Sequence, residues 1–263
     1  MSPKTLFLIL IVFQNFINLA QSSFIGKIWV GNNGTYLRAD SSIIRFETFS
    51  KAHGNTSVVK HYYLIGDTLR ILEQEFPSKI YSDFLFDIIQ KKTLSLIPLN
   101  NSASYLSNLI TLNGAQKELR FVDQSIINRK NVEFEKILFN ATECYGRCPS
   151  MSLEIDQNKK VRFIGIAHTP KKGCFSASLT DELFKQLIEI LNLAELDQIQ
   201  CKERANIDLA SYTLEIHYNE KILYLKTCDI PFILDELMNF LLHLPEKIDL
   251  TVSENPFTIH FQD

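Results

Sequence analysis

Five cysteines in 263 residues are the side chains whose type and spacing point most directly to chemistry. Two of them stand in Thr142-Glu-Cys-Tyr-Gly-Arg-Cys-Pro-Ser150. A residue before proline is pushed out of the helical region, so Cys148 does not belong inside a helix. In an extended strand, Cys144 and Cys148 would lie about 13 Å apart, whereas a disulfide needs Cα atoms about 4.4–6.8 Å apart. If the two are bonded, the chain must turn between them, and Gly146 supplies the freedom for that turn. A structural disulfide is the favoured reading. Free thiols, a redox-active pair and a metal site are the alternatives, although the spacing is one residue longer than Cys-x-x-Cys and no thioredoxin-like strand–helix context surrounds it.

The other three cysteines are read from their places in the chain. Cys201 follows the first predicted helix of the second half, and Cys228 ends a hairpin immediately before the second helix. If those helices pack side by side, a Cys201–Cys228 bond would close a loop of about 28 residues and add roughly 3–4 kcal/mol. Two buried thiols are the competing reading. Five cysteines cannot all pair within one chain, so at least one is free or intermolecular. Cys174, in Lys171-Lys-Gly-Cys174, has no obvious mate and is the candidate free thiol, with neighbouring lysines that favour thiolate.

Little other chemistry is available. There is no Gly-x-Ser-x-Gly and no phosphate-binding glycine motif, so neither a serine hydrolase nor nucleotide binding finds support. The six histidines, at 53, 61, 168, 217, 243 and 260, show no paired metal spacing. His168 is placed near the cysteine turn across a hairpin, and His217 is expected on the solvated face of a strand beside Glu215. No acid/base carboxylate pair stands out. The expected catalytic, cofactor and metal sets are therefore empty. A formal net charge of −3 without a basic cluster makes nucleic acid and anionic membranes poor partners.

The elements that must position these residues follow from patterning. Lys4, the apolar run Leu6–Phe13 and the small Ala20-Gln21 step read as a secretory signal peptide over residues 1–20. The run is broken by Gln14, Asn15 and Asn18, well short of the roughly 20 residues a membrane span needs. Export and five cysteines fit an oxidising periplasmic or extracellular compartment. Asn33, Asn55, Asn100 and Asn140 head Asn-x-Ser/Thr sequons, which are chance in a bacterial product and glycosylation candidates in a eukaryotic one.

Residues 21–130 read as strands with no convincing helix: alternation through Ile44, Phe46 and Thr48, a hairpin about Gly66-Asp67, another about Gln90-Lys91-Lys92, and a short strand at Leu119 and Phe121. This predicts a small antiparallel sheet or barrel. Asn128-Arg-Lys-Asn131 is the expected boundary. Residues 131–263 read as strand, cysteine turn and hairpin. A helix follows, capped by Thr180 with stripe Leu183, Phe184, Leu187, Ile188 and Leu191. A second hairpin turns at Asn219-Glu220. Pro231 suits the start of a second helix, which carries Leu234, Leu237, Met238 and Leu241 and is ended by Pro245. Phe257, Ile259 and Phe261 alternate as a last strand. The fold class is α+β: an N-terminal antiparallel sheet or barrel, then an antiparallel sheet covered by two helices.

Two resemblances rest on these residues. Cys144-Tyr-Gly-Arg-Cys-Pro149, then Leu153-Glu-Ile155, Val161-Arg-Phe-Ile-Gly165 and an amphipathic helix, resemble a bacterial domain-of-unknown-function family, number 6438, over roughly residues 132–250. Met151 stands where that family's pattern has tyrosine, and the turn Gln157-Asn-Lys159 lacks its glycine. Gly26-Lys-Ile-Trp29 resembles the Gly-x-Trp of lipocalin-like proteins with the spacing off by one. The first resemblance implies a fold unit and no activity. The expected function is an exported, non-enzymatic module that binds a protein or envelope component and is stapled by a disulfide. The alternatives are a carrier of a small apolar ligand in the N-terminal sheet and a thiol–disulfide enzyme on the second half.

Overall fold

The computed structural model describes residues 23–50, 54–112, 116–127, 131–199, 206 and 208–262. The signal segment, Asn128–Lys130 of the expected boundary, and Cys201 lie outside the described residues. The chain divides between Asn128 and Arg129 into two compact units.

The first unit is a closed antiparallel barrel in chain order: β1 (Ile28–Gly31), β2 (Thr35–Ala39), β3 (Ile43–Ser50), β4 (Gly54–Ile65), β5 (Thr68–Gln74), β6 (Ile80–Ile89), β7 (Thr93–Pro98) and β8 (Leu119–Asp123). β1 closes it against β8, with Trp29 opposite Asp123. Alternate residues point inward, so Leu37, Phe46, Leu69, Phe84, Leu94 and Phe121 form one interior core. Trp29 is fully buried there, and its indole N–H donates to the Phe24 carbonyl at 3.2 Å. The barrel is consistent with the lipocalin-like resemblance.

One element departs from expectation. Helix α1 (Asn101–Thr111) interrupts the strands, where only strands were expected. Its polar opening, Asn100-Asn-Ser-Ala-Ser104, looks like a loop, yet Asn100 is a cap whose side chain accepts from the Ala103 amide at 2.8 Å. Ala103, Leu106 and Ile110 supply a short helical stripe that joins the barrel core. Thr48 and Thr35 hydroxyls both donate to the Ile110 carbonyl, tying the helix end to the strands.

The second unit is a seven-stranded antiparallel sheet in the order β14-β13-β9-β10-β11-β12-β15. Its strands are β9 (Phe134–Ala141), β10 (Ser150–Asp156), β11 (Lys160–Ala167), β12 (Gly173–Ser178), β13 (Tyr212–Tyr218), β14 (Lys221–Thr227) and β15 (Thr251–Val252). Direct cross-strand partners share a face, and the row Leu225–Leu214–Phe139–Leu153–Phe163–Phe175 is buried throughout. Helices α2 (Asp181–Leu193) and α3 (Asp235–Lys247) cover it. The Thr180 hydroxyl accepts from the Leu183 amide at 3.3 Å, as the cap pattern required.

The structure corrects two helix boundaries. Pro231 caps a short 3-10 turn, Phe232–Leu234, and α3 begins only at Asp235. Pro245 lies inside α3 and does not end it. Leu244 and Pro245 are both buried, so packing holds the last turn despite the missing amide. Among the described residues no helix is long and apolar enough to cross a membrane.

Candidate functional site

The turn between β9 and β10 is where the sequence concentrates its chemistry. The two strands pair closely, with Ala141 opposite Met151, so the chain between them must leave the sheet and return. Cys144 and Cys148 are joined by a disulfide with Cα atoms 5.6 Å apart, inside the range a bond permits. The Gly146 amide donates to the Cys144 carbonyl at 2.7 Å and tightens the turn. The Tyr145 amide donates to the Asp208 carbonyl at 3.2 Å, and Thr142 exchanges hydrogen bonds with Ser211. The loop is therefore held at its base by the segment that leads into β13.

What this clamp displays is Tyr145. Tyr145 is 91% exposed, and Arg147 beside it is exposed as well. The sequence places this aromatic between the two cysteines, and its exposure is visible only once the turn is built. Ala167 lies opposite Ser150, so His168, one residue on, is at the same end of the sheet as Cys148-Pro149.

Of the other cysteines, two lie among the described residues. Cys228 follows β14, and both it and Cys174 are partly buried free thiols. The Lys171 ammonium donates to the Leu250 carbonyl at 2.9 Å and lies 5.6 Å from the Phe175 ring centre. The Cys174 thiol faces the Phe257 carbonyl at 3.9 Å.

His217 is not solvated as expected. Glu215 is 1% exposed, and the His217 Nε2 lies 2.5 Å from its Oε1. Glu215 is buried and His217 half-buried, and a residue far along the chain reaches them: the Gln262 amide donates to the other Glu215 oxygen at 2.6 Å. Phe257, Ile259 and Phe261 were expected to form a ladder strand. They form none, and β15 is only Thr251–Val252.

Among the described residues, aromatic and aliphatic side chains pack the barrel interior. Phe24 packs on Trp29, Tyr62 and Phe86 with ring centres 6.5, 5.9 and 5.0 Å away, while α1 adds Leu106 and Ile110 to the same core. A cleft of about 80 Å³ lies beside Gly31, Thr35, Thr111 and Glu118, well below the roughly 300–1,000 Å³ of a small-molecule site. Lys27 pairs with the nearly buried Asp123 across the β1–β8 closure. Burial alone would raise the Asp123 carboxyl, but hydrogen bonds from Lys27 and Ser125, with the Lys27 charge, outweigh it and hold it below the ordinary carboxylate range.

No curated protein and no solved structure matches the chain. Residues 135–244 match the model of one family, described as a domain of unknown function (DUF6438), and the matched stretch takes in β9 from its second residue, the disulfide loop, strands β10 to β14 and helix α2. Residues 135–244 of the second unit are therefore similar to that family, and in this chain the Cys144–Cys148 turn lies within the matched stretch.

Proposed function

We propose that the protein is an exported, non-enzymatic interaction module whose contact point is the disulfide-clamped loop Cys144–Cys148. The observation that carries this reading is Tyr145, 91% exposed on a turn fixed by a covalent bond and a backbone anchor. Tyrosine and arginine are enriched among residues that dominate binding energy, and a rigid turn pays little ordering entropy on association. The signal-like first 20 residues and the disulfide together support export to an oxidising compartment. A carrier role has less support, because Phe24, Trp29 and the α1 stripe occupy the barrel interior.

Affinity capture from the protein's own host tests the reading. The unaltered chain is expected to retain a partner that Tyr145→Ala loses by tenfold or more while melting at the same temperature. Equal retention by Tyr145→Ala and Arg147→Ala would refute it.

A further inference from the structure

The face of the second sheet away from α2 and α3 is lined by polar side chains, and one row across it carries the argument. Glu215, Leu138, Glu154 and Arg162 are successive cross-strand partners on β13, β9, β10 and β11. Leu138 in this row is 2% exposed. The chain's own last described segment is bonded to both ends of this row. The Arg162 guanidinium stacks 4.2 Å from the Phe257 ring centre and donates to the Thr258 carbonyl at 3.4 Å, while its other nitrogen holds Glu154 at 2.9 Å. The Gln262 amide ends on Glu215.

The spacing fits a segment lying crosswise. From β11 to β13 is three strand intervals, about 14 Å, and four extended residues from Thr258 to Gln262 span about 13 Å. Phe257, Ile259 and Phe261 are half-buried while Thr258, His260 and Gln262 are exposed. The period-2 pattern is therefore satisfied against the sheet's face and not in its ladder. Among the described residues the segment is held to the sheet by side-chain contacts and by the Thr258 and Gln262 backbone bonds to Arg162 and Glu215, while ladder pairing stops at Thr251–Val252.

We infer that this face is a docking face for an extended peptide with bulky apolar side chains at alternate positions, and that residues 257–262 are a displaceable strap occupying it. The inference stands apart from the disulfide loop. Arg162 reads the first aromatic side chain and the following carbonyl, and the buried Glu215 carboxylate takes a backbone N–H at the far end.

Cys174, under the Phe257 carbonyl, reports on the strap. In the full chain, Phe257→Ala with Phe261→Ala is expected to speed alkylation of Cys174 at least tenfold relative to Cys228. A synthetic peptide of residues 253–263 added in trans should restore protection, and the same peptide with both phenylalanines replaced should not. Unchanged Cys174 reactivity, or no protection by the peptide, would overturn the inference. If Cys228 accelerates in parallel, hydrogen exchange in the unaltered protein decides. Exchange of the Gln262 amide ahead of the β13 amides supports a displaceable strap; exchange only together with them refutes it.

Discussion

At the scale of single residues, the second unit separates what a side chain's type suggests from what its surroundings make of it. Cys144 and Cys148 were legible as a pair because proline and glycine fix the turn around them. Tyr145 was not, since exposure depends on where the turn points. The surroundings of the Glu215–His217 pair were hidden for a different reason: Gln262, which bonds Glu215, lies 47 positions away in sequence. Opening the disulfide with Cys144→Ser and Cys148→Ser is expected to cost on the order of 2 kcal/mol, the closure entropy of so short a loop, read as a lower melting temperature. In the barrel, Asp123 is held ionised by Lys27 and Ser125. A depressed carboxylate contributes its stability in full above the ordinary aspartate range and loses it as pH falls through the depressed value. Acid unfolding of the first unit should therefore weaken in its dependence on pH below about 4 in Asp123→Asn, which also loses roughly 1–3 kcal/mol at neutral pH by leaving Lys27 unpaired. An unchanged acid profile would contradict this assignment.

At the scale of elements, the strands were the most legible part, because alternation specifies a face wherever one side is buried. The same alternation misled at residues 257–261, where period 2 does not say whether the partner is a neighbouring strand or a sheet face. Helix α1 was missed because its signal, Ala103, Leu106 and Ile110, is short and preceded by loop-like polar residues. Gly165 has an elementary role: an added Cβ would sit 1.9 Å from the Lys171 carbonyl oxygen and 2.7 Å from the Thr169 hydroxyl. Gly165→Ala should destabilise the second unit by about 1–3 kcal/mol, the range for overpacking, measurable by denaturant titration. Two hairpin turns carry the opposite opportunity. Lys91 and Glu220 adopt φ of 58° in tight turns, which suits glycine. Lys91→Gly and Glu220→Gly should each raise stability by roughly 0.5–1 kcal/mol, and a fall in the melting temperature of either variant would argue against strain at these turns. The turn Gln157-Asn-Lys159 manages without glycine because the Asp156 carboxylate accepts from the Asn158 and Lys160 amides at 2.8 and 2.9 Å.

At the scale of the whole molecule, two architectures share one chain: a meander barrel closed by its first and last strands, and a sheet with helices on one face and a strap on the other. The closure of β1 on β8 joins residues some 90 positions apart, and no local pattern announces such a pairing. Export is the reading for the molecule entire, and a mature N-terminus near Gln21 in the secreted fraction is its expected sign. The central claim is that the clamped loop is where this molecule meets another. A photo-reactive phenylalanine analogue placed at Tyr145 in the living host keeps the aromatic ring and reports contact directly. The account predicts a discrete cross-linked adduct from position 145 and none from Tyr105, an exposed tyrosine on α1 of the barrel. No adduct at 145, or an equal one from 105, would contradict it.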